Sequence, residues 1–135
     1  MHTGTCLCGG VRYALDVQSL RIELCHCRSC RKSNGSAYGA NASVAAAAFR
    51  VIEGAALLRE FESSPGKQRV FCSRCGSPVF SRNQTRPDQV RIRIGLLDTP
   101  LAQSPAFHFM VAHKAEWETI CDDLPQYEGF EPARA

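Results

Sequence analysis

The feature that most constrains this chain is the grouping of its cysteines. Of eight cysteines, seven fall in three short clusters: Cys6 and Cys8, then Cys25, Cys27 and Cys30, then Cys72 and Cys75. A gap of one residue between two cysteines suits side chains that converge on one atom better than side chains that form separate disulfides. Clustered cysteines of this kind are typical of metal sites, and we interpret all three clusters in this way.

Length and composition predict one soluble globular domain. A chain of 135 residues is long enough to bury a single core but short for two. No apolar stretch approaches the roughly 20 residues of a membrane span. The start of the chain lacks the basic and apolar regions of a secretory signal. We therefore expect a cytoplasmic protein, in which thiols stay reduced and disulfides are rare.

The formal charge of +3 at pH 7 raises the question of a nucleic-acid partner. That value counts every cysteine as neutral, whereas seven thiolates that bind two zinc ions would bring the charge close to zero. The basic residues then compensate for metal-bound sulfur. Because long Lys/Arg runs and alternating basic and aromatic residues are also lacking, a nucleic-acid partner is not expected.

Apolar and polar residues alternate along much of the sequence, which is the period of a β-strand. Eight segments show it: VRYALDV, LRIEL, SAYGANASV, ALLREFES, QRVFC, SPVFS, VRIRIGLL and AFHFMV. Helix is expected only after Cys27 and around Ala45 to Phe49. We predict a mainly β domain over residues 1–135, built from short antiparallel strands and stapled by zinc. From about residue 113 to 135 the tail should form an irregular arm with a disordered end.

The first and third cysteine clusters together make a complete structural site. In CSRCG, two residues between Cys72 and Cys75 form a turn, and Gly76 supplies the permissive backbone behind it. The segment CLCGG offers a second pair, Cys6 and Cys8. Four thiolates fill the tetrahedral sphere of a structural zinc.

The remaining cluster, CHCRSC, contributes Cys25, Cys27 and Cys30. Three thiolates leave one position of a tetrahedral zinc for substrate or water, as in catalytic sites. His26, His108 or Cys121 could instead complete this sphere and make it inert. The His26 side chain should point away, because both its neighbours are ligands, and we expect Cys121 to be a buried structural cysteine.

Three cationic residues lie close in sequence to this three-cysteine cluster: Arg28, Arg31 and Lys32. They either compensate for the charge of the sulfur or hold an anionic substrate, since arginine pairs well with carboxylates. Trp117 is expected to anchor the core or the arm, or else to form a pocket wall.

Five segments in this order resemble the glutathione-dependent formaldehyde-activating enzyme family, which includes centromere protein V. They are GTCLCGGVRY, CHCRSCRKSNGS, FCSRCGSPVF, VRIRIGLLD and FHFMVAHKAEWETICDDLPQYEGF. The resemblance implies a β-tent fold of antiparallel sheets with zinc. It also implies that Cys6, Cys8, Cys72 and Cys75 are structural ligands and that Cys25, Cys27 and Cys30 are catalytic ones. The implied activity is S-(hydroxymethyl)glutathione synthesis from glutathione and formaldehyde.

Three classes of function therefore compete. The leading hypothesis is a zinc-dependent carbon–sulfur lyase that acts on a small thiol and a small aldehyde. The alternative is a non-catalytic zinc module that binds protein or nucleic acid. A third possibility is a thiol-based redox or detoxification protein in which Cys25, Cys27 and Cys30 react with electrophiles.

Overall fold

The computed structural model describes residues 1–132, which divide into two compact units. The first unit comprises Met1–Leu20 and Ala42–Ala102, and the second comprises Arg21–Asn41 and the chain from Gln103 onward. The strands in chain order are β1 His2–Thr5, β2 Arg12–Leu15, β3 Glu23–Cys25, β4 Gly39–Ala45, β5 Phe49–Glu53, β6 Leu58–Ser64, β7 Lys67–Cys72, β8 Pro78–Asn83, β9 Gln89–Arg93 and β10 Phe107–Phe109. The helix α1 spans Arg28–Asn34, and short 3-10 turns lie at Ala46–Ala48, Ala55–Leu57, Ile94–Leu96 and Val111–His113.

The first unit is built from antiparallel strands. Strands β1, β2 and β5 form one sheet in that order, with β2 in the centre. In a second sheet β9, β8, β7 and β6 follow one another, and the final residues of β4 lie beside β9. Gly66 has φ 79° in the turn that joins β6 to β7, a left-handed conformation that glycine adopts without steric cost.

The alternating residues of these strands form the core of the first unit. Tyr13 and Leu15 of β2 are completely buried, as are Val79 of β8 and Ile92 of β9. The Tyr13 ring lies 5.5 Å from that of Phe49, an aromatic contact at a favourable centroid distance. Burial of one face of each strand therefore fixes which residues of the alternating pattern point inward.

The second unit contains β3, the start of β4, α1 and β10. Strand β3 pairs antiparallel with β4 and parallel with β10. Helix α1 begins after Cys27, whose Sγ accepts the Cys30 N–H, and ends at Gly35, which has φ 64°. Phe107 and Phe109 pack with Cys25 and Cys30 to form the buried cluster of this unit.

The tail of the second unit lies against β10. The backbone N–H of His108 donates to the carbonyl of Pro125 at 2.9 Å, and the N–H of Tyr127 donates to the carbonyl of His108 at 3.0 Å. Residues 114–132 contain turns, bends and one isolated bridge residue. The disorder predicted for the last few residues falls at 133–135, outside the described residues.

The mainly β fold is confirmed, with three departures from expectation. All eight predicted segments contain strands and the helix after Cys27 is present, but β1 and β5 were not anticipated. Of the four consecutive alanines, Ala45 ends β4 and the other three form a single 3-10 turn, because so short a run cannot sustain a helix. The parallel pairing of β10 with β3 also differs from the antiparallel expectation, because a long excursion of the chain separates the two strands. No helix in residues 1–132 has the length and apolar character of a membrane span.

The close approach of β1 to β2 generates a stability prediction. A Cβ added at Gly4 would overlap the ring of Tyr13, which is completely buried. We expect Gly4→Ala to lower the free energy of unfolding by about 1–3 kcal/mol, the cost of overpacking a core. Urea denaturation of the purified protein measures this. Gly95→Ala, where the added Cβ meets nothing within 4 Å, is the matched control, and an equal loss there would contradict the steric explanation.

Candidate metal centres

Four cysteines of the first unit converge on a common point. Cys6 and Cys8 follow β1, Cys72 ends β7 and Cys75 follows it, yet all four Sγ atoms lie within 4.8 Å of one another. The Cys6 and Cys8 sulfurs are 3.6 Å apart, and those of Cys8 and Cys72 are 3.8 Å apart. This is the set of four that the spacing predicted, and it could hold one metal ion.

Tight backbone turns bring each pair of sulfurs together. Gly9, at φ 80°, donates its N–H to the carbonyl of Cys6 at 3.0 Å, and Gly76, at φ 79°, donates to that of Cys72 at 2.7 Å. The left-handed conformation at both turns explains the glycines after CLC and CSRC. The N–H of Val11 also donates to the Cys6 sulfur at 3.2 Å.

Neighbouring donors favour thiolates at two of these positions. A hydrogen bond with the Ser77 hydroxyl, 3.3 Å from the sulfur, is the main cause that lowers the pKa of Cys75 to about 5. The Arg74 guanidinium, whose Nε lies 3.3 Å from the Cys8 sulfur, lowers the pKa of that exposed thiol. Burial instead raises the pKa of Cys72. Cys75 and Cys8 therefore lose their protons more readily than ordinary thiols, and metal binding requires that loss.

The second cluster lies wholly within the second unit and within one short segment. Cys25 ends β3, Cys27 caps α1 and Cys30 lies in its first turn, and their three sulfurs are within 4.8 Å of one another. Hydrogen bonds with Cys27 and Cys30, together with burial, raise the pKa of the Cys25 thiol. Three thiols held this closely favour a cation among them, since a metal ion would displace their protons and neutralise their mutual repulsion.

None of the three candidates for a fourth ligand joins this cluster. Within residues 1–132, the group of mutually close donor atoms comprises the three cysteines alone. His26 Nε2 lies 2.7 Å from His108 Nδ1, so the two rings are hydrogen-bonded to each other. Cys121 is exposed, which makes the expectation of a buried structural cysteine wrong. Its position in an irregular tail segment, outside the packed strands, explains the exposure.

The two donor sets differ in the number of thiols that they could offer to a metal ion. Four thiolates complete a tetrahedral sphere, and three leave one position for another ligand. The first set joins segments more than sixty residues apart, as a structural staple does, and the second is local to one loop and helix. Each set could therefore hold a metal ion, in the partition that the sequence indicated.

A basic pocket lies along α1 in the second unit. It has a volume of about 330 Å³, and its lining includes Arg28, Arg31, Lys32, Gly35, Ser36 and Trp117. The three cations named from the sequence therefore line one cavity on the helix that carries Cys30. Trp117 is exposed over 71% of its surface, so it forms a pocket wall and not a core anchor.

One further set of polar groups in the second unit was not predicted from the sequence. His108 Nε2 lies 2.9 Å from one carboxylate oxygen of Asp122, which extends the His26–His108 contact into a series of three residues. Both rings are buried, and the Tyr38 ring lies 5.2 Å from that of His26. His26 and His108 were considered only as ligands, and nothing in the spacing of Asp122 indicated a link to either.

Comparison with known proteins identifies the family. The profile of the glutathione-dependent formaldehyde-activating enzymes matches residues 1–113. This protein belongs to that family. A Halomonas elongata relative named "Putative glutathione-dependent formaldehyde-activating enzyme" is 31% identical over 126 residues, which cover 87% of this chain and 79% of the relative. A crystal structure of a Rhodobacter sphaeroides protein covers 76% of this chain and 97% of its own, with a TM-score of 0.63 and 21% identity, and shares the fold.

The two donor sets of this family member generate a prediction about metal content. We expect reduced, gel-filtered protein to carry two zinc ions per chain, measured by inductively coupled plasma mass spectrometry. Cys72→Ser should remove one ion, because it takes a buried ligand from the four-thiol set. Cys121→Ser, outside both sets, should keep both ions. A parent protein with one ion, or a loss of metal in Cys121→Ser, would contradict the assignment.

Proposed function

We propose that this protein is a zinc-dependent carbon–sulfur lyase of the S-(hydroxymethyl)glutathione synthase type. It would join a thiol, glutathione or a similar molecule, to formaldehyde or another small aldehyde in a reducing compartment such as the cytoplasm. The observation that carries this proposal is the group of three close thiols that has no fourth protein donor among residues 1–132. Such a set suits a metal ion that must keep a position for substrate.

Cys25, Cys27 and Cys30 are the residues that would hold the catalytic ion. When bound there, zinc supplies an electrophilic centre that favours the thiolate form of a substrate thiol. Cys6, Cys8, Cys72 and Cys75 would hold a second, structural ion within the first unit. We assign no substrate contact to those four residues.

The basic pocket would hold the anionic part of the thiol substrate. Glutathione carries two carboxylates, and Arg28, Arg31 and Lys32 line a single cavity. Guanidinium groups bind carboxylates through paired hydrogen bonds, and lysine adds a point charge. Because α1 carries both these cations and Cys30, a thiol anchored by its carboxylates would be kept near the three-cysteine cluster.

The reaction requires little covalent chemistry from the protein. The substrate sulfur forms a bond to the aldehyde carbon, and the electrons of the C=O double bond move to the oxygen. That oxygen takes up a proton to give the hydroxymethyl thioether, and the proton lost by the thiol balances the one gained. The negative charge that develops on this oxygen must be stabilised by a cation or a hydrogen-bond donor. The lyase direction reverses each of these changes.

Exchange spectroscopy tests the activity directly. Formaldehyde and glutathione at equilibrium exchange with their adduct, and NMR measures the exchange rate with and without the protein. We expect the parent to accelerate exchange and Cys27→Ser to fall to the uncatalysed rate, because one of three metal ligands is lost. Cys121→Ser should exchange as fast as the parent. Parent-like exchange in Cys27→Ser would mean that this cluster is not catalytic.

The pocket assignment generates a separate prediction. Arg28→Gln and Lys32→Gln should each raise the KM for glutathione about three- to tenfold, because each removes one charge-assisted contact that is partly screened by solvent. The value of kcat should change less, since binding of the remote carboxylate is shared by ground and transition states. Arg50→Gln, an exposed arginine of the first unit, is the control. An equal rise in KM for the control would argue for a general charge effect.

A further inference from the structure

Trp117 is a large apolar side chain that the fold leaves largely uncovered. It is exposed over 71% of its surface, although tryptophan is highly buried on average. Among residues 1–132 its ring takes part in no aromatic or cation–π contact. The same ring lines the basic pocket of the second unit. The pocket therefore has an apolar, flat wall that the described protein does not use for its own packing.

The backbone around Trp117 is held in a turn. Residues 116 and 117 form this turn, and the N–H of Glu118 donates to the carbonyl of Ala115 at 3.1 Å. Ala115 is buried, and the Lys114 ammonium donates to the carbonyls of Ala115 and Glu118. Because the segment is already ordered, a ligand that contacts the indole ring causes little further loss of backbone entropy.

The three cations of the pocket share one face of α1 and have no acidic partners. Arg28, Arg31 and Lys32 are spaced i, i+3 and i+4, which places them on the same side of the helix. In the part of the chain that the structure describes, none of the three is paired with a carboxylate. A ridge of unpaired cations suits a ligand that carries more than one carboxylate.

Ser36 adds a hydrogen-bond acceptor to the pocket. Its hydroxyl already donates to the carbonyl of Tyr38 at 2.6 Å, so toward a ligand it can only accept. A short peptide with two carboxylates offers the matching groups, because its amide units are planar and carry N–H donors. The cavity, of about 330 Å³, is also larger than formaldehyde or a simple alkyl thiol requires.

We propose that Trp117 is a specificity-determining residue whose indole ring stacks on the amide planes of a peptide thiol, while the cations of α1 hold the carboxylates of that thiol. The inference rests on the proposed lyase function and adds to it a residue that selects the thiol. A small neutral thiol has neither amide planes nor carboxylates, so it gains nothing from this pocket. Trp117 contacts the substrate away from the sulfur and takes no part in bond formation.

Tryptophan fluorescence tests the occupancy of the pocket without any chemistry. Trp117 is the only tryptophan of the chain, so the emission reports on this one wall. The probe is S-methylglutathione, whose sulfur cannot add to an aldehyde. We expect a saturable change in emission with this probe and none with S-methyl mercaptoethanol. Calorimetry that detects no binding of S-methylglutathione, or binding that leaves the emission unchanged, would overturn the inference.

Variants separate the effect of the ring from that of folding. Trp117→Ala should weaken the binding of S-methylglutathione, measured by isothermal titration calorimetry, about three- to tenfold, the effect of one aromatic contact. Trp117→Phe should recover most of that affinity. Phe61→Ala removes an exposed ring from the first unit and should bind like the parent. In the NMR exchange assay at low thiol concentration, Trp117→Ala should slow exchange with glutathione by a similar factor and leave exchange with mercaptoethanol unchanged.

The failure of this inference and the failure of the lyase function give different results. Parent-like binding in Trp117→Ala, or a loss of affinity that Phe61→Ala shares, would overturn the inference while the lyase function stands. Equal slowing of both thiols in Trp117→Ala would also overturn it, because the role of the ring would then be structural. If the parent accelerates exchange of neither thiol but binds S-methylglutathione through Trp117, the lyase function fails and the recognition of a peptide by this pocket is supported.

Discussion

The convergence of sulfur atoms is the constraint on which the structure depends most. In the first unit, four sulfurs from two separate parts of the chain lie within 4.8 Å of one another. Two of the cysteines, Cys6 and Cys72, are almost fully buried and belong to the core cluster of that unit. The packing of β1 and β7 therefore also positions the thiols, and a metal ion bound by the thiols would stabilise that packing.

The second unit brings its sulfur atoms together in a different way. Its three sulfurs come from one end of a strand and one turn of helix, so the cluster needs no distant segment to form. What distant segments supply is the surroundings of the cluster. Strand β10 pairs with β3 and brings His108 to His26, and the tail adds Asp122 and Trp117. A local set of ligands is thus supported by groups that the sequence places about eighty or more residues away.

Much of the fold followed from simple periodicity. Alternation located the strands that have one buried face, because such strands must place apolar residues at every second position. Strands β1 and β5 were missed because they lack this pattern. In β1 a glycine replaces the apolar residue that would face Tyr13, and in β5 no residue is fully buried, so neither strand shows the alternation. The parallel partner of β3 could not be inferred, since periodicity carries no information about strand direction.

Residue order alone predicted the two sets of cysteines, the glycines of their turns, most strands and the membership of the family. All of these depend on short spacings or on side-chain type, which can be read directly from the chain. The hydrogen bond of His26 with His108, the exposure of Cys121 and the place of Trp117 in the pocket wall became evident only in the folded chain. The physical reason is that hydrogen-bond reach is only about 3 Å. Which distant side chains come that close is fixed by strand register and by the path of the tail, and neither follows from local spacing.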